Sequence, residues 1–203
     1  MRNIIVLCLF MISLNMVFAQ DFPGVNEVRG IEIGSIVPNF EAQDQNGHNF
    51  NLDSALKDGP VVLIFYRGFW CPYCNKHLEI LQDSLSLIET YGGRVIGVSP
   101  EKPEYLQKMS EKSGTEFSLL YDEGYRIADK FDVNFLPGKS QLFTYNTFLG
   151  AKLKASHSDE SQRLPIPASF IIGEGREIVW RQFDTDYKKR AHVQEILTAL
   201  KSL

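Results

Sequence analysis

Cys71 and Cys74 enclose Pro72 and Tyr73, a spacing that brings two sulfurs within one helical turn of each other. Three chemistries use such a pair: a structural crosslink, half of a metal site, or a redox couple that opens and closes. A crosslink gains little here, because closing a loop of about four residues stabilises by only ~2 kcal/mol, against ~3 kcal/mol for fifteen. A zinc site normally needs four ligands, and beside the pair stand only His48, His77, His157 and His192, with no second close-spaced pair. The redox reading is favoured by what flanks the cysteines, a strand before and a helix after. It calls for no bound cofactor and no metal, since the sulfurs themselves carry the electrons.

The elements that position the pair follow from pattern. Pro60 to Tyr66 is a continuous apolar run rich in β-branched residues, as in a strand covered on both faces. Leu78, Leu81, Leu85 and Ile88 recur at helical spacing, Pro72 suits a first turn and Gly92-Gly93 a stop, so a helix is predicted from about Pro72 to Tyr91. Upstream, Pro38 to Leu52 reads as an opening hairpin about the turn Asp44 to Gly47. Downstream, Arg94 to Val98 followed by a charged helix to Gly114, then Phe117 to Leu120 followed by Asp122 to Phe131, read as two further strand–helix units. Pro137 to Arg163 shows no clear period, and Ser156 to Gln162 is expected to be a polar loop. Ala168 to Ile172 and Glu177 to Trp180 form a second hairpin, and the stripe Val193, Ile196, Leu197, Leu200 lies on a last helix predicted to begin near Thr185 or Asp186. Strands alternating with helices define an α/β chain with a mostly parallel sheet and helices on both faces.

That frame places the dithiol at a helix N-terminus, where unpaired N–H groups and the helix dipole favour a thiolate over a thiol. Lowering a thiol from about 8.5 to about 7 takes ~2 kcal/mol and raises the thiolate fraction at neutral pH from a few per cent to about half. Cys71, at the helix end and on the exposed side of the loop, is expected to attack, and Cys74, one turn inside, to resolve the mixed disulfide. Arg67, Lys76 and His77 are candidates for a supporting positive field, each with a plain solvated role as its alternative. Trp70 suits a substrate groove or the core, and Tyr73 is expected at the surface.

The first twenty residues carry Arg2, an apolar run from Ile4 to about Leu14, and Val17 and Ala19 as the small residues of a cleavage site. This is the pattern of a secretory signal, expected to be removed after Ala19 together with Cys8, leaving one domain over residues 20–203 and a location outside the cytoplasm, periplasmic or secreted. Asn15 interrupts the apolar stretch short of the ~20 residues that cross a bilayer, and no later stretch is long enough to span one. The chain of 203 residues has a formal net charge of −4, which argues against a nucleic-acid partner.

Phe65 to Cys74, read with Leu164-Pro165-Ile166-Pro167-Ala168-Ser169-Phe170-Ile171-Ile172, resembles the thioredoxin superfamily. Within it the chain is similar to the alkyl hydroperoxide reductase and thiol-specific antioxidant branch, among peroxiredoxin-like members with a CxxC, over roughly Gly34 to Trp180. The resemblance implies a thioredoxin-like fold with a central mixed sheet flanked by helices. It also implies an antioxidant thiol oxidoreductase that cycles a Cys71–Cys74 disulfide, reduces hydroperoxides or protein disulfides, and is recharged by a thioredoxin-like electron donor. It places at Pro167 a cis proline that faces the dithiol and holds substrate backbone. The departures are specific. If Cys74 fills the peroxidatic place, Arg67 stands where peroxiredoxins carry a proline and Cys71 where they carry a threonine; if Cys71 fills it instead, Ile64 and Gly68 occupy those places. The family's later arginine is replaced close to Pro167. The buried acid that thioredoxins place on the central strand falls at Phe65. An alternative on the same fold is a Cu(I)-handling protein, two thiolates and a histidine gripping the soft metal. Relatives of that kind space their cysteines by three residues and place a histidine late in the fold, whereas here the spacing is two and His157 falls in the expected polar loop.

Overall fold

The structure, a computed structural model, describes residues 22–203; the expected signal segment and Cys8 lie outside them. The opening hairpin pairs β1 (Glu41–Gln43) with β2 (Asn49–Asn51), and the short helix α1 (Leu52–Ala55) follows, capped by the Asn51 side chain on the Ser54 amide. The Asp44 carboxylate accepts the Asn46 and His48 amides and holds the turn between the strands.

Next come β3 (Val61–Phe65), α2 (Pro72–Asp83), α3 (Leu85–Thr90), β4 (Arg94–Ser99), α4 (Pro103–Ser113), β5 (Leu119–Tyr121) and α5 (Arg126–Lys130). The strands β6 (Asn134–Phe135) and β7 (Leu164–Pro165) pair across α6 (Lys139–Thr147) and α7 (Leu153–Ser156). The chain closes with β8 (Ser169–Ile172), β9 (Ile178–Gln182) and α8 (Val193–Leu200).

Five strands form the central sheet in the order β5-β4-β3-β8-β9. Its β3–β4 and β4–β5 ladders are parallel and its β3–β8 and β8–β9 ladders antiparallel. The sheet is therefore mixed, as the resemblance implied, rather than mostly parallel. β3 lies at the centre with every residue buried, and its period-two geometry divides the core. Val62, Ile64 and Tyr66 meet Leu78 and Leu81 of α2, Leu106 and Met109 of α4, and Ile196 and Leu200 of α8. Val61, Leu63 and Phe65 meet Leu52, Phe131 and Phe170 on the other face. The Phe131 ring sits between Phe65 and Phe170, with centroids at 5.1 and 5.0 Å.

Three expectations need correction. The helix predicted to run to Tyr91 is broken at Ser84 (φ −108°, ψ 5°), where α2 gives way to α3; the apolar stripe continues across the break, so periodicity alone did not reveal it. The stretch 137–163, which shows no clear period, holds α6 and α7, and Ser156 and His157, expected in a polar loop, are fully buried. The last helix begins only at Val193, leaving residues 184–192 as an irregular strap. α4 ends as the sequence indicated, on Gly114 in the left-handed region (φ 67°). Among the described residues no helix is long and apolar enough to cross a membrane.

Candidate active site

The C-terminal end of β3 feeds a short loop, Arg67 to Trp70, into α2. Cys71 is the residue before the first helical turn, with extended backbone (φ −89°, ψ 108°) and Pro72 directly after it. Its carbonyl accepts from the Cys74 and Asn75 amides at 3.0 and 3.1 Å, so both cysteines are fixed at the positive end of the helix. Gly68 makes the loop possible. Its φ of 152° and the 2.5 Å that a Cβ there would leave to Glu101 Oε1 exclude a side chain.

Both sulfurs are free thiols and both are buried, Cys71 at 0% and Cys74 at 1% exposure. The expectation of a Cys71 on the exposed side of the loop is thus corrected: the loop folds inward, and residues 184–192 cross above it. Tyr187 of this strap lies edge-on to Tyr73 with centroids at 5.5 Å and takes the Arg67 guanidinium at 4.1 Å from its ring.

Arg67 is not a solvated side chain. Its Nη2 donates to Cys71 Sγ at 3.2 Å and its Nη1 to the Tyr145 hydroxyl at 3.2 Å. Its guanidinium also stacks near the Trp70 and Tyr145 rings, at 5.0 and 5.2 Å. Burial works against this charge, but the two sulfurs outweigh it and hold the guanidinium protonated. A second guanidinium, Arg190 on the strap, places Nη2 3.8 Å from Cys74 Sγ, while its Nη1 donates to the carbonyls of Tyr187 and Lys189.

The two thiols influence each other, and their environments drive their titrations apart. Burial pushes Cys74 up, yet the bond from Cys71 and the fields of Arg190 and Arg67 outweigh it, so Cys74 is held well below an ordinary thiol. Burial pushes Cys71 up, and the bond and charge of Cys74 push the same way against Arg67. These fields favour negative charge on Cys74 over Cys71, the opposite of the expected order.

The other expected residues divide. Trp70 is 8% exposed and packs on Tyr145 with centroids 5.0 Å apart, a core role, while Tyr73 is 44% exposed. Lys76 turns outward to Glu79 at 3.4 Å and does not reach the sulfurs. His77 is buried, and burial lowers its imidazole to about 4, so it is neutral and supplies no field. Pro167 is buried just before β8, where the neighbouring Ala168 carbonyl accepts from the Phe65 amide at 2.8 Å. Among the described residues no peptide bond is cis, so the cis proline implied at Pro167 is trans here. Among the described residues no histidine joins the pair as the third ligand that a copper site would need. His157 instead faces the Tyr125 hydroxyl at 3.1 Å, and no three His, Cys, Asp or Glu residues cluster as a ligand set among the described residues.

Two participants escaped the sequence reading. Arg190 sits in a stretch predicted to be helical, 116 positions from Cys74, and no local pattern marks it. Glu101 follows β4 and is fully buried beneath the loop, its Oε2 accepting the Phe69 amide at 2.7 Å. An acid two residues beyond a strand buried at every position after its first was the one available signal.

The AhpC/TSA family model matches residues 33–181. Peroxiredoxin Bcp of Bacillus subtilis is 30% identical over 174 residues, covering 85% of this chain and 97% of that protein. Peroxiredoxin Bcp of Escherichia coli is 32% identical over 103 residues, 51% of this chain, and the matched stretch spans 65% of the E. coli protein. Among solved structures, peroxidoxin BcpB of Mycobacterium tuberculosis superposes with a TM-score of 0.66 at 22% identity, over 85% of this chain and 98% of that one. The mixed sheet, the buried dithiol at the start of α2 and a family match that runs from the opening hairpin to β9 agree: this chain belongs to the AhpC/TSA family.

Proposed function

We propose that this protein is a thiol-dependent peroxidase in which Cys74 attacks and Cys71 resolves. The carrying observation is a buried sulfur pair met by two guanidinium groups, Arg190 at 3.8 Å from Cys74 Sγ and Arg67 donating to Cys71 Sγ at 3.2 Å. The Cys74 thiolate displaces alkoxide from a hydroperoxide, leaving a sulfenic acid; a proton converts the alkoxide to alcohol. The Cys71 thiol then attacks the sulfenic sulfur, forming the Cys71–Cys74 disulfide and releasing water. A thioredoxin-like dithiol restores both thiols by exchange.

The family's threonine and later arginine are not at their places, and two cations of different origin compensate. Arg67 and Arg190 supply preorganised positive charge where a departing oxygen becomes negative. The burial of both sulfurs in the reduced protein favours a hydroperoxide as its first reactant, because a small peroxide needs a much smaller opening under the strap than a protein disulfide. Recharging by a protein dithiol requires the strap to open once the Cys71–Cys74 disulfide has formed. Thioredoxin-coupled peroxide consumption should greatly exceed insulin reduction and should vanish in Cys74→Ser. Insulin reduction at an equal rate, or peroxide consumption that survives Cys74→Ser, would overturn the reading. Cys71→Ser should still consume one equivalent of peroxide and stop at the sulfenic acid.

Export is part of the same reading, supported by the residues up to Ala19. N-terminal sequencing of the protein recovered from its native cell envelope or medium should begin at Gln20, and a start at Met1 would remove it.

A further inference from the structure

A buried charge left without a partner is costly. Arg67 is 2% exposed, and among the described residues its guanidinium forms no ion pair with a carboxylate. It has two hydrogen-bond partners: Nη2 donates to Cys71 Sγ and Nη1 to the Tyr145 hydroxyl, each at 3.2 Å, while Nε is buried without one. The Tyr145 hydroxyl is therefore the one oxygen among the described residues that accepts from this cation. Its ring is 7% exposed and packs on Trp70 with centroids 5.0 Å apart. The backbone is pinned as well. The Ala151 amide donates to the Tyr145 carbonyl at 3.0 Å, and the next residue, Asn146, accepts the Leu153 amide through Oδ1 at 2.8 Å.

We propose that Tyr145 is a positioning residue that holds the Arg67 guanidinium over the dithiol in both halves of the redox cycle. This inference rests on the peroxidase reading. In the reduced protein the cation has two anchors, a sulfur and an oxygen. When the Cys71 thiol attacks the sulfenic acid on Cys74, the S–S bond forms, the S–O bond breaks, and the hydroxyl leaves as water with the Cys71 proton. The Cys71 sulfur then carries no charge and is committed to Cys74, so its hold on Nη2 weakens. Tyr145 is untouched by this change and keeps Nη1 in place. The cation is thereby still over the pair when the donor dithiol splits the disulfide and negative charge returns to sulfur. Tyr145 touches no reacting atom and acts through Arg67.

Packing alone does not call for this hydroxyl. A phenylalanine would meet Trp70 and the cation equally well, and rings attract a guanidinium without fixing which way its N–H groups point. Trp70, Tyr145 and Tyr187 all face Arg67 in this way, at 5.0, 5.2 and 4.1 Å. A hydrogen bond adds direction, because it weakens steeply as the donor swings out of line. The excursion between β6 and β7 supplies that bond: α6 carries a single buried residue, and it is Tyr145.

Tyr145→Phe keeps the ring and removes the oxygen. Three readouts apply to it: the single-turnover rate with hydrogen peroxide, the rate at which dithiothreitol reduces the oxidised protein, and the pH midpoint of iodoacetamide alkylation of the reduced pair. Both rates should fall about tenfold, the scale of a lost hydrogen bond to a charged group. The alkylation midpoint should move up, because a loosened Arg67 lends less field to the sulfurs. In an Arg67→Met background the same substitution should cost nothing further, since the residue through which it acts is gone. A wild-type value for either rate or an unmoved midpoint in Tyr145→Phe overturns the proposal, and so does a loss that adds in full to that of Arg67→Met. Should Arg67→Met not fold, the rates and midpoint of Tyr145→Phe decide. If Cys74→Ser still consumes peroxide, the peroxidase reading has failed instead, and the alkylation midpoint, which needs no peroxide, still tests the hold on Arg67.

Discussion

Arg190 holds its guanidinium 3.8 Å from the Cys74 sulfur although 116 positions separate them in the chain. A full charge at that range interacts by about 4 kcal/mol at an effective dielectric of about 20, enough to offset much of the penalty that burial places on the thiolate.

Removing that charge should therefore act on the sulfur more than on the fold. In Arg190→Met, the midpoint of Cys74 alkylation against pH should move up by about one unit or more, slowing alkylation several-fold at a pH near the wild-type midpoint. Mass-spectrometric mapping of the modified cysteine checks both rate and site. Labelling that falls first on Cys71 in the wild type would contradict the assignment of Cys74 as the thiolate.

The strap makes a second outcome measurable. Tyr187 is clasped between Tyr73 and Arg67, and an Arg–aromatic contact of this kind contributes about 1 kcal/mol. Tyr187→Ala should loosen residues 184–192 and raise the rate of labelling by a bulky maleimide several-fold, with a smaller rise for iodoacetamide. Local opening of this kind leaves the sheet intact, so the melting temperature should move by only a few degrees. Equal gains for both reagents would argue against the strap as the barrier.

Acid should destabilise the protein through two buried histidines. Burial lowers His157 to about 3 and His77 to about 4, against 6.5 for a free imidazole. Above the free value both groups are neutral in the folded and unfolded states. As pH falls below it, the unfolded chain binds protons that the folded one refuses, so stability declines until the folded values are reached. The two histidines contribute a loss on the order of a few kcal/mol between about pH 7 and pH 4. Glu101 and Asp122, whose carboxyls burial raises to about 8 and about 6, oppose it over the same range. The share of His157 is therefore read as the difference in urea unfolding between wild type and His157→Gln, which should widen in favour of the variant as pH falls. An unchanged slope in the variant would remove His157 from the account.

Much of the fold could be read directly. The run Val61 to Phe65 has no alternation because both of its faces are covered, and unbroken apolarity is how that burial is written. The stripe of α2 and the glycine that ends α4 are equally local. The break at Ser84 and the irregular strap were not legible, since neither interrupts hydrophobic periodicity. Ser156 and His157 looked like loop residues because their types are polar, and their burial depends on partners, Tyr125 and the backbone of Glu101, that lie far away in sequence.

By itself the sequence determined that two cysteines stand at the start of a helix after a buried strand, and hence that the chemistry concerns sulfur. Only the tertiary structure decided which sulfur carries the charge. Spacing and periodicity are properties of neighbouring residues, whereas the choice between Cys71 and Cys74 is made by charges and burial from elsewhere: Arg190 beside one sulfur, Arg67 bonded to the other, and a strap that keeps water from both.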